Sequence, residues 1–131
     1  MDFVLVYGTL MRGHAAHRAL GLQRRARLIR RVVLRGRLFD LGAYPAFRPG
    51  RGTVRAELYA LRDPRLLRAL DRYEDYRPGR PRASEYRRER WRGGRPGFGA
   101  WLYVYNRRLD GRPMRIGHWG GGRGPVDRTR G

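Results

Sequence analysis

The sequence predicts a mixed α+β domain built on a curled sheet or small β-barrel with flanking helices, and three observations lead there. Short β-branched and aromatic segments recur, separated by glycine and proline. Only one segment, 63–76, has the start, spacing and stop of a long helix. No internal repeat divides the 131 residues, a length that suits one domain with a real core.

The elements follow in order. FVLVY (3–7) reads as a buried first strand, and it runs straight into Gly8-Thr9-Leu10-Met11-Arg12-Gly13. A strand that ends in glycine is either a plain turn or a place where backbone N–H groups are bared to a ligand. HAAHRAL (14–20) suits a short helix that Gly21 stops. ARLIRRVVLRGRLFDL (26–41) suits one or two strands, and GAYPAFRPGRG (42–52) reads as a loop by its glycines and prolines. In 53–61, Val54, Ala56, Leu58 and Ala60 alternate with Thr53, Arg55, Glu57 and Tyr59, a period-two strand. The helix of 63–76 takes Asp63 as N-cap and Pro64 as its first residue, and RPGRP (77–81) ends it. Tyr86–Trp91 is a strand, GGRPG (93–97) a turn, and AWLYVYN (100–106) a strand with Trp101, Tyr103 and Tyr105 on one face. The domain spans 1–119, and the Gly/Arg-rich segment 120–131 is a disordered tail.

Composition removes much chemistry. Cysteine and lysine are absent, so thiolate nucleophiles, cysteine metal sites, Schiff bases and a phosphate-loop lysine are all excluded. The lone serine, Ser84, has no glycine elbow around it, and the only histidines are His14, His17 and His118. His14 and His17 have a spacing that could hold a metal on a helix, but no third ligand is apparent, so no metal is expected. No apolar run approaches the ~18 residues of a membrane span. The start of the chain lacks the pattern of a signal peptide, which gives a cytoplasmic expectation. Arginine supplies all 31 basic residues against 11 acidic ones, a net charge of +20. Complete loss of lysine reads as codon drift rather than as a binding patch, although non-specific attraction to nucleic acid follows either way.

The few carboxylates can be weighed singly. Asp63 is a cap, Asp40 ends a strand, and Glu85 and Glu89 sit among arginines as surface partners. Glu57 and the helix set Asp71, Glu74 and Asp75 remain. At roughly 100° per residue from Leu66, Leu70 falls at about 40° and Leu67 at about 100°, with Glu74 between them at about 80°. Asp71 lies at the border of that apolar arc and Asp75 points away. A carboxylate on the buried face should have a raised pKa and could exchange protons near neutrality; otherwise it sits in a frayed last turn paired with Arg77 or Arg80.

Taken in order, VYGTLMRG, LGAYPAF, VRAELYAL, LDRYEDY, EYRRERW, AWLYVYN and IGHWGGG give the chain a resemblance to the gamma-glutamylcyclotransferase-like family over about residues 3–119. The resemblance implies a small barrel with flanking helices and a cavity at one side. It places the loop that offers N–H groups to a glutamyl portion on Tyr7, Gly8, Thr9 and Leu10, and the acid/base glutamate on Glu74. Tyr105 is added as a further substrate contact. Where the family often has Gly-Glu this chain has Ala56-Glu57, so Glu57 is either structural or at the cavity edge. Tyr86 and Arg88 match a Y-x-R read as structural, and Arg12 stays an unassigned surface residue. The implied reaction is attack of a γ-glutamyl α-amine on its own side-chain carbonyl, releasing 5-oxoproline and an amine without cofactor or metal. The expected partner is a small γ-glutamyl substrate, with the protein monomeric and free of membrane. A non-catalytic binder of the same fold, or a basic nucleic-acid module using the arginines of 24–37, remains as an alternative.

Overall fold

The computed structural model describes residues 2–42, 44–93, 99–109 and 114–115. The chain runs β1 (Phe3–Val6), α1 (Ala15–Ala19), α2 (Leu22–Arg25), β2 (Ala26–Asp40), β3 (Pro45–Leu61), α3 (Leu66–Tyr73), β4 (Tyr86–Trp91), β5 (Ala100–Tyr105) and β6 (Met114–Arg115). The six strands form one mixed sheet in the order β4-β5-β1-β3-β2-β6, with β1 parallel to β5 and the other pairs antiparallel.

The α+β class and the curled sheet are as the sequence predicts. Among the described residues β4 and β6 do not pair with each other, so the sheet is open and only loosely a barrel. Its curl has a visible cause. β1 stops at Val6, opposite Glu57, and the early half of β3 extends past it. That half reaches across to β4 and β5: Tyr86 donates its hydroxyl to the Pro45 carbonyl at 2.7 Å, and Arg48 Nε donates to the Tyr105 carbonyl at 3.0 Å. Register shifts at Leu28/Arg30 and Arg35/Gly36 add local twist to the β2–β3 pair. Gly36 is required at the second shift, since a Cβ there would lie 2.5 Å from the Arg48 carbonyl oxygen and 2.6 Å from the Phe47 ring.

Three elements differ from the sequence reading. Residues 45–52 belong to β3 rather than to a loop. Pro45 opens the strand, where its missing N–H costs nothing, and Pro49 sits at the bulge opposite Gly36. The period-two pattern holds for Thr53–Ala56, but Ala56–Leu61 is buried on both faces because the segment after β1 and α1 lie over the second one: the His17 ring is 5.8 Å from that of Tyr59 and the Arg12 N–H reaches Glu57. The helix is shorter at both ends than 63–76. Asp63 still organises the entry: its carboxylate accepts the Arg65 N–H at 2.9 Å and its carbonyl the Leu66 N–H at 3.0 Å. Arg65, however, is the N-cap.

At the other end Glu74 is the C-cap, and Asp75 takes a left-handed backbone (φ 55°). The Asp75 N–H bonds the Arg72 carbonyl and the Tyr76 N–H the Asp71 carbonyl, which closes the helix as a Schellman turn before the prolines are reached. The four-residue α2 has no periodicity to reveal it. The turn at 93–97 lies almost wholly outside the described residues, as does the tail of 120–131.

Leu66 and Leu70 of α3 are fully buried in the single core. Leu70→Ala is expected to cost about 2–5 kcal/mol, read as a lower urea midpoint with an unchanged slope.

Candidate active site

The loop after β1 is held from every side. Tyr7 is buried, and its hydroxyl donates to the Tyr103 carbonyl at 2.7 Å while its ring lies 5.2 Å from Phe47. The Met11 N–H donates to the Gly8 carbonyl at 3.0 Å, closing a turn. Buried His17 of α1 places Nδ1 2.8 Å from the Leu10 carbonyl oxygen, so the ring proposed as half of an H-x-x-H pair serves the loop instead. Glu57, buried in β3, accepts the Arg12 N–H at 3.0 Å and the Tyr59 hydroxyl at 2.9 Å. Glu57 therefore stands behind the loop and tethers its end through Arg12. Thr9 Oγ1 and the Tyr73 hydroxyl of α3 share a 2.6 Å hydrogen bond, which ties the loop to the helix.

This loop and the end of α3 face one cavity of about 190 Å³. Tyr7, Gly8, Thr9 and Leu10 line one side, and Tyr73, Glu74, Glu85 and Tyr86 line another. Glu74 reaches it because the Schellman turn stops α3 there and its own N–H bonds the Leu70 carbonyl at 2.9 Å. Its backbone keeps helical angles (φ −84°, ψ 0°), so the side chain stays on the arc the wheel assigns.

Among the described residues no basic side chain lines the cavity, in a chain of net charge +20. Nothing there offsets the burial of a carboxylate, and the pKa of Glu74 is pushed up to about 8, first by desolvation and then by the charges of Glu85 and Asp71. The same burial, reinforced by Glu74, raises Tyr7, which stays a neutral phenol. Desolvation raises the pKa of Asp71 as well, but there Tyr103 and Arg88 oppose it. Asp71 accepts the Tyr103 hydroxyl at 2.6 Å and Arg88 at 2.9 Å, and Arg88 lies with its guanidinium 4.5 Å from the Trp101 ring. Among the described residues no ion pair involves Glu74, and Arg88 is engaged with Asp71.

Of the residues the sequence singled out, Tyr7, Gly8, Thr9, Leu10 and Glu74 come together in this cavity. Tyr105 does not line it. It stands directly opposite Tyr86 in the β4–β5 register and packs edge-on against it with ring centroids 5.2 Å apart, and of the two Tyr86 is the one that reaches the cavity. Glu85, read as a surface partner, is the residue sequence reasoning missed. It lines the cavity and accepts the Tyr44 hydroxyl at 2.8 Å. Its position just before a strand, in EYRR, resembles that of any surface acid. Only the pinning of its backbone by Asp75 and Asn106 turns it inward.

The family model for gamma-glutamyl cyclotransferase, AIG2-like proteins matches residues 4–121. The chain belongs to this family. The Escherichia coli K12 gamma-glutamylcyclotransferase family protein YtfP is 39% identical over 83 residues, which are 63% of this chain and 66% of that protein. The chain thus aligns with just under two thirds of the length of that relative. In the solved structures, ytfP from Escherichia coli superposes with a TM-score of 0.68 at 30% identity, covering 98% of this chain and 99% of that one. An aig2-like protein from Mus musculus gives a TM-score of 0.69 at 26% identity over 90% and 88% of the two chains. Among the described residues, no helix is long and apolar enough to cross a membrane.

Proposed function

We propose that the protein catalyses cyclisation of a γ-glutamyl compound to 5-oxoproline with release of an amine. One observation carries this reading: the Glu74 carboxyl, in no ion pair among the described residues, opens onto the same small cavity as the Tyr7–Leu10 loop. The substrate's α-ammonium, with an ordinary pKa of about 7.7–8, first loses a proton to solvent; the neutral amine then attacks the γ-carbonyl and passes one N–H proton to the Glu74 carboxylate. A C–N bond closes the five-membered ring. The Glu74 carboxyl then returns the proton to the leaving nitrogen as the original amide C–N bond breaks. Both reacting groups belong to one molecule, so holding the folded-back conformer supplies much of the barrier lowering.

The loop supplies the rest. Its turn uses the Met11 N–H, and the N–H groups of Gly8, Thr9 and Leu10 ahead of it are assigned to the substrate's carboxylate or to its carbonyl oxygen. Glu85 sets the electrostatics, since its charge disfavours ionised Glu74. Glu85→Gln keeps the Tyr44 hydrogen bond and removes that charge, so the Glu74 pKa should fall from about 8. The acid limb of the kcat/KM–pH profile is then expected to move to lower pH, while Asp75→Asn, outside the cavity, leaves it in place.

The test of the whole reading is direct. The protein is incubated with γ-glutamyl amines, γ-glutamyl dipeptides and glutathione, and 5-oxoproline is measured. Saturable binding of these compounds without product would show a binding protein of the same fold and overturn the enzymatic reading.

A further inference from the structure

Arginine is spread over the whole sequence, so its abundance locates nothing; its pairing does. Among the described residues the ion pairs join Arg25 and Arg65 to Asp63, Arg77 and Arg107 to Asp75, Arg87 to Glu89 and Arg88 to Asp71. None involves an arginine of β2 or β3. Those strands hold two carboxylates, Asp40 and Glu57, and both are buried. Among the described residues the other acids, Asp2 apart, lie around α3 and β4, and the outer face of the β2–β3 ribbon carries one carboxylate, Glu57, which stands opposite Arg31 and is held by the Arg12 N–H and the Tyr59 hydroxyl.

The strand pattern aims that charge one way. From Arg31 to Leu38, exposed and buried residues alternate strictly, with Arg31, Val33, Arg35 and Arg37 outward. Across the pair, Val33 faces Arg55 and Arg35 faces Thr53, both exposed partners, while Val32–Ala56 and Leu34–Val54 point to the core. Arg30, displaced by the bulge, and Arg12, brought up by its tether to Glu57, extend the stripe around an open groove. Arg37 lies opposite Arg48 in register, but the Arg48 guanidinium is turned to the Tyr105 carbonyl, which leaves Arg37 as the outward charge at this end of the stripe.

We propose that the outer face of the β2–β3 ribbon is a docking surface for the phosphate backbone of duplex nucleic acid. From Arg31 to Arg37 the stripe runs about 20 Å at roughly 3.3 Å per residue, and a duplex presents about one negative charge per 1.7 Å over that length. The exposed residues of this face include no aromatic ring on which an unpaired base could stack. Its contacts therefore go to the backbone and carry no sequence preference. The face is separate from the Glu74 cavity, which no arginine lines.

The experiment is fluorescence anisotropy on the full chain with a labelled DNA duplex of about 20 base pairs, titrated from about 50 to 200 mM salt. The wild-type log K–log salt slope is expected at about −4.5, corresponding to about five phosphate contacts. Arg31→Gln/Arg35→Gln/Arg55→Gln should reduce that slope by about 2.5 and weaken binding at least roughly 30-fold at 100 mM salt. Arg68→Gln/Arg72→Gln/Arg82→Gln removes the same charge outside the ribbon and should change affinity less than about threefold. Replacing Arg31, Arg35 and Arg55 by lysine keeps the charge and should keep the slope, which separates lost contacts from a lost fold. Equal losses in the two glutamine triples would mean that net charge alone binds, and would overturn the proposal. So would absence of wild-type binding at 100 mM salt, or tighter binding of a single strand of the same length.

Discussion

If the proposed reaction holds, Glu74→Gln is expected to lower kcat for 5-oxoproline release by about 10²–10⁴-fold, the range that loss of a positioned acid/base group produces. Glutamine preserves the size and the Leu70-bonded C-cap backbone, so the loss reports the proton step. The same variant should be more stable than the wild type, with a pH dependence that identifies the residue. Burial raises the Glu74 pKa from 4.5 to about 8 in the folded protein. Between those values the folded state binds a proton that the unfolded chain releases, so Glu74 makes the wild type progressively less stable as pH rises through the window.

At pH 4 the two proteins should therefore melt alike. Above pH 8 the variant should be ahead, by a few kcal/mol at most, because the carboxyl faces a cavity that water can enter. Thermal melts at the two pH values, together with product assays, check both halves. Full retention of 5-oxoproline release in the variant would falsify the assignment of the base.

Gly8→Ala is expected to lower kcat/KM by about 10²-fold, the cost of displacing a positioning group by about 1 Å. A Cβ at Gly8 would stand 2.6 Å from Cγ and 2.7 Å from Cδ of Pro45. A proline ring held in a strand cannot swing aside, so the loop must move. Its other ties then work against it: Tyr7 to Tyr103, Leu10 to His17 and Arg12 to Glu57 all fix the same few residues. The overpacking should cost about 1–3 kcal/mol of stability. Activity should fall further than folding explains, and kinetics at a temperature where the variant is fully folded would separate the two. An unchanged kcat/KM would mean that the loop does not position the substrate.

Most of the strands were legible because their signals are local. The alternation of Thr53–Ala56 and the aromatic density of 100–105 depend on residues close in sequence. The failures have physical reasons as well. Pro45, Pro49, Gly50 and Gly52 carry loop composition, yet a bulged ribbon has the same need for missing N–H groups and left-handed backbone as a loop. The prolines at 78 and 81 marked the end of α3 too late. The stop is Asp75, whose left-handed conformation an aspartate tolerates without advertising it.

The sequence by itself determined the class of fold, from the succession of its elements, and the place of Glu74 on the apolar arc of its helix, from spacing along one element. At Tyr7–Leu10 the residues alone left a plain turn open, and the family resemblance named the loop. Only the tertiary structure decided what surrounds Glu74 and that loop. Tyr105 fell behind Tyr86, Glu85 turned into the cavity, Glu57 went behind the loop, and Arg88 was engaged by Asp71 rather than Glu74. These outcomes depend on which residues from distant strands meet, and on which charges are left without a partner once they have met. A pKa near 8 at Glu74 belongs to that second class: it arises first from burial and then from the charges of Glu85 and Asp71, in a cavity that no arginine lines among the described residues, although the chain carries 31 arginines.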